Sequence, residues 1–223
     1  QTEKYNKQQK KNNTNKNNTA NECFEGASRI MFKFNYALDG AVFEPVAKGY
    51  RSLPLGLRKG TSNVLSNLRS LLTLSNNILQ ADFSGAGNTA GRFLVNSTVG
   101  ILGVFDPAAS VFGLKKRGKE DFGQTLGRWG SGTGCYFVLP FLGPTTTRDA
   151  AGLVGNIFLD PMYTVTHNSE TDFLIGNENY QEHNYYFYRG VGGVDFRAKN
   201  IESFDSVEKN SIDLYASMKS LYL

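Results

Sequence analysis

One short segment of this sequence is spaced like a phosphate-binding loop. Residues 113–119 read GLKKRGK and are followed by Glu120. A P-loop has a Ser or Thr at that last position, because its hydroxyl binds the magnesium ion that accompanies the nucleotide. No buried strand plainly leads into the segment either. We therefore predict a basic surface turn, with no nucleotide dependence and no cofactor.

Metal and nucleophilic chemistry have few candidate residues. The two histidines, His167 and His183, lie in polar surroundings, and neither is close to a cysteine or part of an HExxH pattern. A zinc site needs three or four ligands at local spacing, and a nucleophile needs an adjacent base. We predict solvent-facing histidines, no metal site and no catalytic residues.

Three aspartates could supply a carboxylate pair for acid–base hydrolysis, namely Asp121, Asp149 and Asp160. Arg148 stands directly beside Asp149, and other arginines are available to the remaining carboxylates. Structural salt bridges explain these residues better than catalysis does. A hydrolase with Asp121 or Asp149 at its centre nevertheless remains an alternative.

The two cysteines, Cys23 and Cys135, are far apart in the sequence. They could form one disulfide in an oxidising compartment. Two scattered thiols are more often unpaired small hydrophobic side chains, and that is what we expect here.

The stretch that could position these groups runs from Glu120 to Gly152. It carries five glycines between residues 123 and 134, followed by an apolar run, residues 135–142, that resembles neither a periodic helix nor an alternating strand. Glycines permit backbone angles that other residues resist, so we predict a Gly-rich loop that hinges an apolar tongue. A buried turn and core strand is the alternative. The residues of the predicted hinge and tongue are Gly130, Gly132, Gly134, Tyr136, Val138, Leu139, Pro140 and Phe141.

Helical periodicity dominates the rest of the chain. Apolar residues recur at three- and four-residue spacing over 30–42, 61–79 and 194–221, and Thr61-Ser62-Asn63 can cap the second of these helices. We predict a mainly α fold of short amphipathic helices with little sheet. The apolar stripe of residues 61–79 most simply packs a core, with contact to a membrane interface as the second interpretation.

Composition separates a polar tail from a folded unit. Residues 1–21 hold five lysines and one glutamate with almost no apolar side chains, so we predict a flexible tether there and a single helical domain over 22–223. The net charge of +4 resides in that tail, which argues against nucleic-acid binding by the folded part. No apolar run reaches the roughly 18–20 residues of a spanning helix. Membrane association would be interfacial, lipid-anchored or made by short helices.

Six segments, taken together and in order, resemble the VacJ/MlaA family of bacterial outer-membrane lipoproteins, and the resemblance covers roughly residues 22–223. The segments are FEGASRIMFKFNYALD, FEPVAKGYR, SNLRSLLTLSNNILQ, RFLVNSTVG-ILGVFDPAAS, EDFGQTLGRWGSGTGCYFVLPFLGPTTTRDAAG and SIDLYASMKSLY. Within them we assign a structural role to Phe34, Asn35, Asp106, Arg148 and Asp149.

The resemblance implies a ring-shaped helical protein in the periplasmic leaflet of the outer membrane, associated with a trimeric porin. It implies a conduit, not an enzyme, that draws mislocalised phospholipids from the outer leaflet through an amphipathic channel and passes them to a periplasmic lipid carrier. With such a channel, we predict that the hinge and tongue residues between Gly130 and Phe141 line and gate it. It also implies an acylated cysteine. Because the residues before Cys23 are polar, we expect that cysteine upstream of Gln1. A porin-associated structural protein that transports nothing is a further alternative.

Overall fold

The computed structural model describes residues 21–167 and 181–223, which are mostly helical, as predicted. The division into 1–21 and 22–223 stays a prediction, because residues 1–20 lie outside the described part. So do the polar loop expected between His167 and Gln181 and the side chains of both histidines. The helices are α1 (Glu25–Leu38), a π-helical turn (Asp39–Phe43), α2 (Glu44–Arg51), α3 (Leu55–Leu79), α4 (Phe83–Thr98), α5 (Pro107–Ser110), α6 (Phe122–Arg128), α7 (Thr147–Leu159), α8 (Pro161–His167), α9 (Gln181–Lys199), α10 (Ile201–Asn210) and α11 (Leu214–Tyr222).

Two predicted helix boundaries are wrong. The helix predicted from a cap at 61–63 begins at Leu55, with Pro54 as its N-cap. Proline's fixed φ suits the start of a helix, and the predicted cap lies about two turns inside it. The long helix predicted over 194–221 is three helices, since the chain breaks after Lys199 and again between Asn210 and Leu214.

The α3–α4 hairpin has a mostly polar interior. Along α3 the buried side chains include Asn67, Thr73, Asn76 and Asn77, whereas Ile78 is 53% exposed. The prediction that the apolar stripe packs a core is therefore wrong for much of α3. Sequence periodicity shows which residues share a helix face, but it does not show which face turns inward.

Side-chain hydrogen bonds compensate for burying these amides. Asn67 donates to the Ser97 hydroxyl at 2.9 Å, and Asn77 donates to the Thr89 hydroxyl at 3.2 Å. Asn76, fully buried, accepts from the Thr125 hydroxyl at 2.7 Å. Since a buried amide without a partner costs about 1–3 kcal/mol, these bonds are what make the polar interior stable.

The outer surface is correspondingly apolar. Large hydrophobic side chains are exposed on most helices, and the buried hydrophobic clusters are small. None of the helices in the described part of the chain combines the length and apolar character needed to cross a bilayer. The exposed large hydrophobic side chains include Ile30, Val46, Leu57, Ile78, Phe83, Leu94, Val99, Leu102, Phe112, Val154, Phe158 and Phe196.

The glycine-rich stretch is more ordered than predicted. Gly123 lies inside α6, and a Cβ on Gly152 of α7 would stand 2.4 Å from the Gly123 nitrogen, so these glycines let two helices touch. After a loop over 130–134, the apolar run forms strand β2 (Cys135–Leu139), not an irregular tongue. Its burial alternates because Tyr136 and Val138 enter the core while their neighbours do not.

Strand β2 is the centre of a three-stranded sheet. It pairs in parallel with β1 (Asn21–Glu22) and antiparallel with β3 (Gly143–Thr146). The turn between β2 and β3, residues 140–142, is tight: the Leu142 amide donates to the Pro140 carbonyl at 2.8 Å, and Phe141 has a φ of 64°. We call residues 140–142 the hairpin tip.

The expectation of unpaired cysteines is wrong. Cys23 and Cys135 form a disulfide that closes a sequence separation of 112 residues, with their Cα atoms 5.6 Å apart. The parallel pairing of β1 with β2 brings the two residues together, and such long-range pairing is not visible in the spacing. The disulfide fastens the N-terminal strand to the central one.

We expect the double variant Cys23→Ser/Cys135→Ser to unfold at a clearly lower temperature than the parent. Closing a loop of this length stabilises the folded state by about 4–5 kcal/mol in the chain-entropy model. Thermal unfolding with and without reductant provides the measurement. Reductant should lower the melting temperature of the parent to that of the double variant and leave the melting temperature of the variant unchanged. Equal melting temperatures in all four measurements would contradict a structural role for the disulfide.

Candidate functional site

A basic cavity of about 520 Å³ lies between α3, the segment that precedes α6, the hairpin tip and α9. Five basic side chains and one acidic side chain, Asp195, line it. Asp195 is already engaged, because Lys199 is 2.7 Å from it and the Tyr50 hydroxyl donates to it at 3.3 Å. The other basic residues of the cavity are Arg69, Lys116, Lys119 and Arg189.

These four cations make no close ion pair with a described carboxylate, although Arg69 and Arg189 lie near enough to the buried Asp160 to act on its pKa. Within the part of the chain that the structure describes, none of them forms an ion pair, and the buried Nε of Arg69 has no hydrogen-bond acceptor. Buried donors are almost always satisfied in folded proteins. Arg69 lines the cavity without a close carboxylate, and together with the three other cations it makes this a place suited to an anionic ligand.

The positive charges of the cavity repel one another, and the lysines among them have lowered pKa values. Burial among the cavity walls lowers the pKa of Lys116, and the nearby Arg92 lowers it further. Burial also lowers the pKa of Lys119, followed by the positive charges of Arg69 and Lys116. Both side chains remain accessible from the cavity, so an anion entering it would relieve the repulsion.

A second cavity, of about 380 Å³, is largely apolar and lies between α1, the π-helical turn, α10 and α11. Phe32, Phe43, Phe204 and Met218 are among its lining residues. At its edge Arg197 makes a bidentate pair with Asp39, with donor–acceptor distances of 2.9 and 2.8 Å. Hydrogen bonding to Asp39 raises the pKa of Arg197, so this charge is neutralised within the protein.

The hairpin tip stands between the two cavities, since Leu142 lines both of them. Asn35 of α1 makes two hydrogen bonds here. Its side-chain NH2 group donates to the Leu139 carbonyl at 2.8 Å, and its side-chain oxygen accepts from the backbone amide of Phe141 at 2.8 Å. The Phe34 and Phe141 rings meet edge to face at 5.4 Å. Phe34 and Asn35, which the sequence analysis assigned a structural role, therefore hold the tip against α1.

The predicted glycines differ from one another. Gly130 and Gly134 have φ values of +93° and +70°, whereas Gly132 has an ordinary φ with open space around it. A Cβ on Gly134 would also lie 2.9 Å from Thr147. Two of the three glycines are therefore required by backbone conformation, and only Gly132 lacks a static reason to be glycine.

The strand residues divide between core and tip. Tyr136 and Val138 are buried with Tyr215 in a small core cluster and line neither of the two cavities. Leu139 supplies the carbonyl that Asn35 binds. Pro140 and Phe141 belong to the tip itself, and Phe141 lines the apolar cavity. Any movement at this site would therefore concern the tip more readily than the strand.

The remaining residues predicted to be structural, Asp106, Arg148 and Asp149, take part in two ion pairs. Arg92 donates to both carboxylate oxygens of Asp106 at 3.0 and 2.8 Å, and Asn96 donates to it at 2.9 Å. Burial alone would raise the pKa of Asp106, but these hydrogen bonds outweigh it and lower the pKa. Arg148 donates to Asp149, whose pKa is lowered against the effect of burial by hydrogen bonds from Tyr222, Thr146 and Arg148.

The three candidate catalytic carboxylates have structural partners. Asp121 caps α6 through the Gln124 amide at 2.9 Å, and Tyr222 donates to Asp149 at 2.7 Å. Asp160 accepts the Met162 amide at 3.0 Å, and burial raises its pKa. Among the described residues no group of His, Cys, Asp or Glu could hold a metal ion.

Sequence reasoning missed most of the basic cavity. The segment 113–119 is mostly exposed, as predicted for a basic surface segment, but the sequence did not show that its Lys116 and Lys119 also line the cavity. Arg69, Arg189 and Lys199 were not selected. The available signal was that Arg69 lies on the polar face of its helix, which turns inward. The pairing of that face with α9, more than 110 residues later, could not be read from the sequence.

Known proteins resemble this chain over most of its length. Residues 20–223 match the family model described as MlaA lipoprotein. The intermembrane phospholipid transport system lipoprotein MlaA of Escherichia coli K12 is 31% identical over 202 residues, spanning 89% of this chain and 74% of that protein. Its counterpart of the same name in Haemophilus influenzae is 28% identical over 224 residues, 95% of this chain and 80% of that protein.

Two further matches agree. An uncharacterized protein of Rickettsia felis is 34% identical over 199 residues, covering 88% of this chain and 73% of that protein. A solved structure, described as the structural basis for maintenance of bacterial outer membrane lipid asymmetry, superposes with a TM-score of 0.71 at 28% identity. It covers 90% of this chain and 94% of its own.

We expect Asp106→Asn to lower the free energy of unfolding by about 1–3 kcal/mol at pH 7, because charged hydrogen bonds from Arg92 and Asn96 are weakened. The folded-state pKa of Asp106 lies below its unfolded value, so the stabilisation is present above pH about 4 and is lost as the pH falls through the folded pKa. In denaturant unfolding, the difference in free energy of unfolding between the parent and Asp106→Asn should shrink from pH 7 towards pH 3. Glu25→Gln, which breaks an exposed pair with Arg29, is the control; a pH-independent deficit would contradict the assignment.

Proposed function

This chain belongs to the MlaA lipoprotein family, and from that premise we propose that it carries phospholipids between the outer membrane and the periplasm. In this role it removes mislocalised phospholipids from the outer leaflet and so maintains lipid asymmetry. The observation that carries the proposal is a cationic cavity enclosed by helices whose outer faces are apolar. A soluble enzyme of this size would normally have the opposite arrangement.

The apolar outer faces support residence in one leaflet. A half-bilayer of hydrocarbon is about 15 Å deep, which about ten helical residues span. The 14 residues of α1 and the 16 residues of α4 are sufficient for that depth, and both carry exposed large hydrophobic side chains. We propose that the protein lies in the periplasmic leaflet of the outer membrane.

The two cavities suit the two parts of a phospholipid. Lys119 and its neighbouring cations offer charge to the phosphate of a headgroup, and the cavity lined by Phe43 and Phe204 offers apolar surface to an acyl chain. Burying acyl methylenes contributes about 0.8 kcal/mol each. A lipid with its glycerol near Leu142 would place both of its parts in matching surroundings.

We propose that the hairpin tip gates the passage between the cavities. Strand β2 itself is held by the disulfide and by pairing on both sides, which opposes the swing of residues 135–142 as one body that the sequence suggested. The tip is held mainly by Asn35 and by one aromatic contact. A hinge at Gly130, Gly132 and Gly134 is the alternative origin of the same motion.

Partners and anchoring extend the proposal. An acylated cysteine upstream of this sequence would attach the protein to the membrane. A trimeric porin would be its neighbour and a periplasmic carrier protein would accept its lipid. These assignments rest on the family, as does the proposal that the protein binds lipid without chemical turnover.

We expect the protein to restore lipid asymmetry in a strain that lacks its own family member, and to be purified with chemically intact phospholipid. Surface-exposed phospholipid in the cells and mass spectrometry of extracted lipid provide the two measurements. Released fatty acid or headgroup after incubation with phospholipid would favour the hydrolase alternative. Abundant, membrane-localised protein without restored asymmetry and without bound lipid would refute the transport proposal.

For the gate, we expect Asn35→Ala to increase surface-exposed phospholipid at unchanged protein abundance, because it removes the hydrogen bond to Phe141 of the tip and the one to Leu139 just before it. Lys33→Ala, an exposed change on the same helix, should behave like the parent. Gly132→Val separates the alternatives: native φ is ordinary there and space is open, so valine introduces no static strain. Normal asymmetry with Gly132→Val supports the tip, whereas lost asymmetry at normal abundance would assign the motion to the glycine hinge.

A further inference from the structure

The basic cavity has more positive than negative side chains, and a neutral or zwitterionic ligand does not require such an excess. Arg69, Lys116 and Lys119 make no close ion pair among the described residues, while Asp195 is paired with Lys199 at 2.7 Å. The neighbouring Asp106 is likewise saturated by Arg92 at 2.8 Å. Asp160 lies near Arg69 and Arg189, but it is buried and accepts the Met162 amide. The side chains that line the cavity itself therefore carry an excess of positive charge.

A phospholipid headgroup contains a phosphate and a second group, and the cavity treats the two differently. The phosphate finds Arg69, whose buried Nε lacks an acceptor, and arginine matches phosphate oxygens through two parallel hydrogen bonds. The ammonium of a zwitterionic headgroup finds no free carboxylate. It would stand among like charges, and repulsion of that kind is an effective way to reject a competing ligand.

The position of the cavity determines how the lipid enters. Leu142 separates the cationic side from the apolar side, so an acyl chain that follows the apolar cavity leaves its headgroup on the cationic side. The phosphate then lies near Arg69 and Lys119, which come from α3 and from the segment preceding α6. Both residues line the same cavity, so one phosphate bound there shares it with both cations.

We propose that the basic cavity selects phospholipids with a net negative headgroup over zwitterionic ones, with Arg69 and Lys119 as the phosphate ligands. This inference rests on the proposed function and adds the class of lipid to it. The shared chemistry is that of a phosphate anion, which could also be free phosphate. The two sources differ in their need for acyl chains, which only the apolar cavity can bind.

The test measures binding of four ligands to the purified full chain by calorimetry at low and high salt. The ligands are short-chain phosphatidylglycerol, phosphatidylcholine and phosphatidylethanolamine with identical acyl chains, and inorganic phosphate. We expect phosphatidylglycerol to bind about tenfold more tightly than either zwitterionic lipid at low salt, with the ratio falling at high salt. Inorganic phosphate should bind far more weakly than any of the lipids.

Variants locate the effect. Arg69→Gln and Lys119→Gln should each reduce affinity for phosphatidylglycerol towards that for phosphatidylcholine, and leave the latter unchanged. Lys33→Gln, which removes an exposed charge on α1 outside both cavities, should keep the parental ratio. Lys119 lies in a segment without regular secondary structure, so its variant remains informative if Arg69→Gln fails to fold.

Four outcomes would overturn the inference, and they are distinguishable. Equal affinities for the three lipids would refute selectivity while leaving lipid transport intact. A preference that persists in Lys119→Gln would place the selection elsewhere. Phosphate binding as tightly as phosphatidylglycerol would indicate an anion site unrelated to lipid. Absence of binding to every lipid would refute the proposed function itself, and the selectivity with it.

Discussion

The structure depends on one constraint: amide and hydroxyl side chains buried in the α3–α4 hairpin must find hydrogen-bond partners inside the protein. Asn67 and Asn77 meet that requirement through Ser97 and Thr89 of α4, and Asn76 meets it through Thr125 of α6. The bonds thereby determine how α3 packs against α4 and α6. With the interior occupied by polar groups, large hydrophobic side chains remain for the outer faces, and the same inversion leaves basic residues around a cavity.

Local patterns predicted much of the helical fold, but not its orientation. Three- and four-residue periodicity correctly indicated helices around 30–42 and 61–79, because it reflects a property of the helix alone. Whether Asn76 or Ile78 lies inside depends on neighbours contributed by distant segments. Strand β2 was only the alternative prediction for a related reason: a five-residue strand next to a proline and several glycines has too little alternation to stand out.

The candidate site was harder to predict than the fold. Asn35 could be selected because it lies in a segment shared with a known family, yet its role in fastening the hairpin tip follows only from the β2–β3 turn reaching α1. Arg69 and Arg189 are separated by 120 positions and meet only through tertiary packing. The Cys23–Cys135 bond likewise required a parallel strand pairing that leaves no trace in the spacing of two cysteines.

That disulfide also determines how mechanical force would travel through the molecule. Cys23 follows directly on β1, so tension applied to the chain before Asn21 reaches Cys135 across a covalent bond within two residues of β1's first residue. The load passes into the central strand of the sheet along the strand direction, in shear, and not into α1 as a peeling force. Helix α1, which carries the side chains that hold the tip, begins two residues after Cys23, so the disulfide takes up part of such a load before it reaches the helix.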